Sequence, residues 1–198
     1  MNKGSLFIVT GPSGAGKGAV LGGLQRTMDN VFYSISATTR QPRPGEVDGV
    51  NYYFLSHERF KEMIANGELL EHAEYVGNYY GTPEGPVNEM LAQGKDVILE
   101  IEVQGALIVK EKRPDAILVF IAPPSFEVLE SRLRGRGTEK DEVVAMRLEK
   151  ARGECAHMDG YDYIVVNDLL DDSINNLAST SVRPAAAAPT SICVWFDF

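Results

Sequence analysis

Leu6-Phe7-Ile8-Val9-Thr10-Gly11-Pro12-Ser13-Gly14-Ala15-Gly16-Lys17-Gly18 governs how the rest of the chain is read. An apolar run of strand length enters a glycine-rich turn, and a segment able to start a helix follows. A phosphate-binding loop requires that context. Glycines let the backbone turn so that successive N–H groups face phosphate oxygens, and the helix start adds partial positive charge. Gly11, Pro12, Ser13, Gly14, Ala15, Gly16, Lys17 and Gly18 are therefore candidate triphosphate-binding residues, with Lys17 reaching for the β- and γ-phosphates. The competing reading is a strand-to-helix turn that binds nothing. One element of the pattern is missing: the Ser or Thr that usually follows the lysine is Gly18, and Ala19 comes next.

Outward from the loop, apolar runs of strand length alternate with helical patterns, which predicts an α/β fold with a largely parallel sheet. The clearest strands are Leu6–Thr10, Asp96–Ile101, Ile117–Ile121 and Tyr163–Val166. Helices are expected over Lys17–Met28, Gly105–Lys112 and Ser125–Arg134, the last with Ser125 as N-cap. A long polar helix is expected from Thr138 to Met158, with Val143, Val144 and Leu148 at helical spacing. From Ser34 to Gly94 the character differs. Short aromatic and β-branched runs are broken by turn signals such as Pro44-Gly45 and Asp48-Gly49, which reads as a small mixed insertion between core units. After Ser179 the pattern changes again, through Pro184 and Pro189 to an apolar, aromatic end.

The 198 residues suggest one domain. A formal net charge of −9 disfavours general nucleic-acid binding, so a chain that handles phosphates must gather its cations locally. Cys155 and Cys193 show neither metal spacing nor a disulfide framework, and no run approaches membrane-spanning length. The Met1-Asn2-Lys3 start lacks the features of a signal peptide, so a reducing cytoplasm is the expectation.

Two arginine clusters supply local cations. Arg40 and Arg43 sit in Thr38-Thr39-Arg40-Gln41-Pro42-Arg43-Pro44-Gly45-Glu46, where proline stiffens the loop and guanidinium forks suit phosphate. Tyr52, Tyr79, Tyr80, Glu71 and Thr82 share this insertion; tyrosine hydroxyls complement phosphate, and a carboxylate accepts from a base edge rich in N–H donors. Singly, each also reads as a core aromatic or a surface acid. Arg132, Arg134 and Arg136, spaced by Gly135 and Gly137, suggest a flap, with Arg147 farther along the polar helix. A solvated basic helix end is the alternative. Glu100 and Glu102 close the second core strand, and period-two alternation puts both on one side, where they would hold a metal–water shell or bond a base. Pairing with Lys17 or a flap arginine is the other option.

Taken together, these motifs resemble the guanylate kinase family, over Lys3 to Leu177. The resemblance rests on Ser13-Gly14-Ala15-Gly16-Lys17, on the Thr38–Glu46 stretch, on Gly77-Asn78-Tyr79-Tyr80-Gly81-Thr82, on Arg134-Gly135-Arg136-Gly137-Thr138-Glu139 and on Val165-Val166-Asn167-Asp168. It implies a P-loop NTPase-type parallel sheet flanked by helices, with a small mixed α/β acceptor-binding insertion and a mobile lid. One domain would span 1–178, with core 1–33, 95–130 and 155–178, insertion 34–94 and lid 131–154; 179–198 would be an atypical tail.

The implied reaction is transfer of the ATP γ-phosphoryl group to GMP, with dGMP as a second acceptor and Mg²⁺ as cofactor. Ser36, Arg40, Arg43, Tyr52 and Tyr80 look like the family's holders of the GMP phosphate. Glu71, Thr82 and Glu102 look like its guanine readers, since guanine's N1–H and N2–H₂ are donors. Arg132, Arg136 and Arg147 look like its lid arginines, which with Lys17, Arg40 and Arg43 make up the catalytic set, and Asn167 falls near the ATP base. Mg²⁺ would be held largely through phosphates and water, near Glu100. Closure of insertion and lid would suppress ATP hydrolysis. ATP and GMP are the implied partners, without nucleic acid or membrane, and monomer and homo-oligomer both remain open. A non-catalytic module that binds a phosphorylated peptide is the alternative; the intact Lys17 and arginines speak against it. Two features depart from the family: Ala19 stands where Gly-Lys-Gly is normally followed by Thr or Ser, and the tail from Ser179 lacks an amphipathic closing helix.

Overall fold

The computed structural model describes residues 3–135 and 140–181. In chain order its elements are β1 (Leu6–Thr10), α1 (Lys17–Thr27), β2 (Val31–Tyr33), β3 (Ala37–Thr38), β4 (Tyr53–Phe54), α2 (His57–Ala65), β5 (Leu69–Tyr75), β6 (Asn78–Pro83), α3 (Glu84–Ala92), β7 (Asp96–Glu100), α4 (Val103–Lys112), β8 (Ile117–Ala122), α5 (Phe126–Arg134), α6 (Asp141–Cys155), β9 (Tyr163–Val166) and α7 (Leu170–Ser181). The four apolar runs singled out in the sequence are β1, β7, β8 and β9. Their alternation with α1, α4 and α5 makes the fold α/β with a parallel sheet flanked by helices.

The described chain divides into two compact units. The first holds residues 3–7, 30–100 and 104–116. Its part of the parallel sheet has the order β2-β7-β1, with β2 and β7 in register from Val31↔Asp96 to Tyr33↔Ile98. The start of β1 is fastened there: Val97 N–H donates to Ser5 O at 2.9 Å, and Ser5 N–H donates to Asp96 Oδ1 at 2.8 Å. The insertion builds a second sheet, β4-β3-β6-β5, around the antiparallel hairpin β5–β6. Val76 at the hairpin tip has φ +48, a conformation uncommon for a β-branched residue. Phe60 and Met63 of α2 pack with Ala37 and Leu69 beneath this sheet, and Ser56 caps α2 by accepting from Arg59 N–H. Such a cap contributes about 1 kcal/mol.

The second unit holds residues 8–29, 101–103 and the described residues from 117 onward. Its order is β1-β8-β9; β8 is buried along its whole length, and β9 pairs with it in parallel from Val119↔Tyr163 to Ala122↔Val166. Continuous burial suits a strand covered on both faces. Ser125 caps α5 as its sequence position predicts, accepting from Val128 N–H at 3.3 Å. Leu129 and Leu133 of α5 pack on Val144 and Ala151 of α6. The polar helix ends earlier than Met158. The chain leaves α6 at Ala156, and Met158–Gly160 forms a 3₁₀ turn instead.

Helix α7 buries Ile174 and Leu177 and lies against α1 at Gly23, where an added Cβ would stand 2.1 Å from Ile174 Cδ1. Residues 179–181 belong to α7, and 182–198 lie outside the described residues. No helix among the described residues is long and apolar enough to cross a membrane.

Candidate functional site

In the second unit, the loop after β1 takes the backbone that its glycines allow. Gly11 has φ +139, and a Cβ there would stand 2.1 Å from Ile121 O, so β8 excludes any side chain. Gly16 is the left-handed residue preceding α1, with φ +89. Ala15 N–H donates to Pro12 O at 3.1 Å and closes the turn, so α1 begins at Lys17 with the positive end of its dipole at the loop. The Lys17 ammonium donates to Gly11 O at 2.5 Å and Pro12 O at 3.3 Å and so lies folded over the loop. At Gly18 a Cβ would meet nothing within 4 Å, and both Gly18 and Ala19 are exposed.

Three further cationic or amide groups converge on this loop. Arg147 of α6 donates to Ser13 Oγ at 3.2 Å. Asn167, which directly follows β9, donates from Nδ2 to Ala15 O at 2.7 Å. Its backbone carbonyl accepts from Arg132 Nη2 at 2.9 Å, while Arg132 Nη1 is buried without a hydrogen-bond partner. The structure thus brings Arg132, Arg147 and Asn167 to the loop. Arg136 lies outside the described residues.

Glu102 departs from its sequence reading. β7 ends at Glu100 and α4 begins at Val103, so alternation along a strand does not reach Glu102. In the second unit Glu102 pairs with Lys150 at 3.0 Å, and Lys150 also lies 3.7 Å from Glu154. Burial raises the Glu154 carboxyl above its ordinary range, opposed by the charges of Lys150 and Lys17. Glu100 is exposed at the end of β7.

In the first unit, Arg43-Pro44-Gly45-Glu46 makes a tight turn: Gly45 has φ +86, and Glu46 N–H donates to Arg43 O at 3.0 Å. Pro at the second position and a left-handed Gly at the third are what a type II turn requires. The turn brings Glu46 back onto Arg40, whose Nη1 and Nη2 donate to Oε2 and Oε1 at 2.9 and 3.0 Å. Glu46 Oε2 also accepts from Arg43 N–H at 2.7 Å. These bonds hold the Glu46 carboxyl below its ordinary range, the Arg40 fork first. The Arg40 guanidinium lies 5.4 Å from the Tyr52 ring centroid, and Tyr52 meets Tyr80 edge-on at 6.4 Å. Arg40, Tyr52 and Tyr80 are therefore gathered as the sequence suggests, and Arg43 is exposed beside them. Ser36 is half-buried, just before β3, and its carbonyl accepts from Tyr53 N–H at 2.9 Å.

Glu71 sits where the β5–β6 register shifts by one residue, between Leu69↔Pro83 and His72↔Gly81. An irregularity of this kind re-aims side chains. Here it leaves Glu71 8% exposed, accepting from Thr82 Oγ1 at 2.6 Å. Burial raises the Glu71 carboxyl above its ordinary value of 4.5, against the Thr82 bond and the Lys112 charge. Lys112 donates to Leu70 O at 2.8 Å and so tethers the strand beside the carboxylate. Gly105 leaves room for it: a Cβ there would stand 3.1 Å from Glu71 Oε2.

Glu46, Gly105 and Lys112 escaped the sequence reading. Only Glu46 carried a local signal, the Pro-Gly turn before it. The others act across long sequence separations that no short motif records.

With this geometry in view, comparison with known proteins is specific. The guanylate kinase family model matches residues 3–182. The guanylate kinase of Carboxydothermus hydrogenoformans is 53% identical over 177 residues, which cover 89% of this chain and 87% of that protein. The guanylate kinase of Lactococcus lactis is 57% identical over 169 residues, 85% of this chain and 82% of that protein. The crystal structure of guanylate kinase from Anaplasma phagocytophilum superposes with a TM-score of 0.71 at 31% identity, covering 91% of this chain and 85% of that one.

Proposed function

This chain belongs to the guanylate kinase family, and we propose that it transfers the γ-phosphoryl group of ATP to GMP through the two constellations described above. The buried Glu71–Thr82 pair carries the choice of acceptor. A carboxylate with free lone pairs accepts from the N1–H and N2–H₂ of guanine, and adenine offers no matching pair of donors. Tyr52, Tyr80, Arg40, Arg43 and Ser36 hold the GMP phosphate, with Glu46 fixing the Arg40 fork in advance. The loop N–H groups and Lys17 hold the donor phosphates. A phosphopeptide-binding module is not favoured, because an intact triphosphate loop has no part in that role.

The chemistry needs no covalent intermediate. An oxygen of the GMP phosphate attacks the γ-phosphorus, a new P–O bond forms, and the bond to the bridging β–γ oxygen breaks to release ADP. The residues supply position and charge: Lys17 at the β- and γ-oxygens, Arg132 and Arg147 at the transferring group. Among the described residues no three carboxylate, histidine or cysteine groups converge. Mg²⁺, held by the phosphates and water, would neutralise charge on the β- and γ-oxygens.

Equilibrium binding tests the acceptor site apart from turnover. Calorimetry on the free protein is expected to show GMP binding and no measurable AMP binding; equal affinities would contradict the assignment of Glu71.

The same carboxyl fixes a pH dependence. Only the ionised form accepts from both guanine donors, and burial raises its pKa above 4.5. GMP affinity therefore falls as pH drops through that raised value, sooner than it would for an ordinary carboxylate. In the free protein the sign for stability is opposite: this group's contribution is complete below 4.5 and is lost as pH rises through the raised value. Glu71→Gln is expected to weaken GMP binding about tenfold to a hundredfold and to remove this step from a pH titration followed by calorimetry. A variant that keeps the step would assign it to another group.

At the donor site, Ala19 lacks the hydroxyl found in relatives of the Gly-Lys-Gly-Thr type. Ala19→Thr offers one more charge-assisted hydrogen bond, and ATP affinity is expected to rise about fivefold to tenfold. Unchanged affinity would show that the loop N–H groups and Lys17 already saturate the phosphate.

A further inference from the structure

Building on the loop as the triphosphate site, we propose that Asn167 is a positioning residue that clamps the phosphate loop and Arg132 together and does not read the donor base. Asn167 is 6% exposed, and each face of its amide meets the protein. Nδ2 donates to Ala15 O at 2.7 Å, and Oδ1 accepts from Ser173 Oγ at 3.1 Å. A carbonyl oxygen can only accept, so Ala15 fixes which end of the amide carries the N–H groups. The hydroxyl of Ser173, itself fully buried, is the donor placed at the other end.

The backbone of Asn167 is engaged as well. Its N–H donates to Ala122 O at 2.8 Å, which anchors it to the end of β8. Its carbonyl accepts from Arg132 Nη2 at 2.9 Å. One residue thus joins the last strand, the loop and the arginine of α5.

Gly16 shows how close this docking is. A Cβ there would stand 2.3 Å from Asn167 Nδ2, so the loop can lie against the amide only if residue 16 is glycine. The Ala15–Gly16 turn sets the direction of the N–H groups that lead into α1, and the clamp fixes that turn. On the other side, Nη2 of Arg132 is held by Asn167 while Nη1 is buried and unpaired, a donor kept for a phosphoryl oxygen. Ser173 has a single proton and three acceptors in reach, since Leu169 O and Val166 O lie at 2.9 and 3.2 Å. Its contribution is therefore the smaller one.

Inorganic tripolyphosphate has no base, so its binding separates the two roles. With the full chain, Asn167→Ala is expected to weaken tripolyphosphate and ATP about tenfold alike, to lower kcat, and to leave the order of preference among ATP, GTP and CTP as donors unchanged. Asn167→Asp, which sets a carboxylate against the Ala15 carbonyl, is expected to be at least as damaging. Ser173→Ala is expected to cost a few-fold in tripolyphosphate affinity in the parent chain and nothing further in the Asn167→Ala background, because it acts through that amide.

Unchanged tripolyphosphate binding with weakened ATP binding, or an altered donor order, would overturn the proposal and make Asn167 a base reader. Independent, additive losses would make Ser173 merely structural and overturn its part. If Asn167→Ala does not fold, Ser173→Ala on tripolyphosphate decides, and no loss there counts against the clamp. A parent chain that binds tripolyphosphate yet never phosphorylates GMP would sink the proposed reaction, while these comparisons still decide the role of Asn167.

Discussion

Lys17→Ala is expected to lower the rate of GMP phosphorylation by about a thousandfold. The ammonium lies over the loop, bonded to Gly11 O and Pro12 O, and so stands at the loop proposed to take the β- and γ-phosphates. Exchanging two carbonyl partners for phosphate oxygens costs little rearrangement and places a full charge beside the bond that breaks. Removing it leaves developing negative charge on the leaving oxygen without a fixed cation. Lys17→Arg is expected to recover little, because a planar fork cannot replace a compact point charge in so tight a turn. Steady-state kinetics at saturating ATP and GMP, with a thermal melt to confirm folding, measures this. A loss of less than about tenfold would remove Lys17 from the transfer step.

Arg132→Ala is expected to have an effect of similar size, falling on kcat. The guanidinium is held on one side by the Asn167 carbonyl at 2.9 Å, and its other amino group is buried without a partner. A donor fixed in that way costs no reorganisation when charge spreads over the transferring phosphoryl group. An arginine in this role contributes about a thousandfold or more. Arg132→Lys should restore little, since one ammonium cannot hold the Asn167 carbonyl and meet a phosphoryl oxygen in the fork geometry. Equal losses in kcat and kcat/KM, with KM for GMP nearly constant, would mark an interaction made in the transition state. A rise in KM alone would make Arg132 a binding residue.

The parts of the fold governed by local rules were legible in the chain. The strand before Gly11, the glycine spacing and the cap at Ser125 stand where their sequence signals put them, because each depends on residues a few positions apart. Glu71 shows the opposite. Nothing in Glu68-Leu69-Leu70-Glu71 announces the register shift that turns its carboxylate inward, for the shift belongs to the pairing with β6. Glu102 shows how a strand rule fails when the strand stops: once β7 ends at Glu100, alternation has no further meaning. Gly105 matters only through a side chain far away in sequence, at Glu71. Arg40 lies between these cases, since its partner Glu46 is six residues away across a recognisable Pro-Gly turn.

Selective phosphoryl transfer to a guanine acceptor is decided by one assay: ADP release with Mg-ATP and each of GMP, dGMP, AMP and UMP. GMP is expected to be turned over with kcat/KM about a hundredfold or more above AMP and UMP, because neither of those bases offers the buried Glu71 carboxylate guanine's adjacent pair of N–H donors. Turnover of GMP no faster than that of AMP or UMP would contradict it.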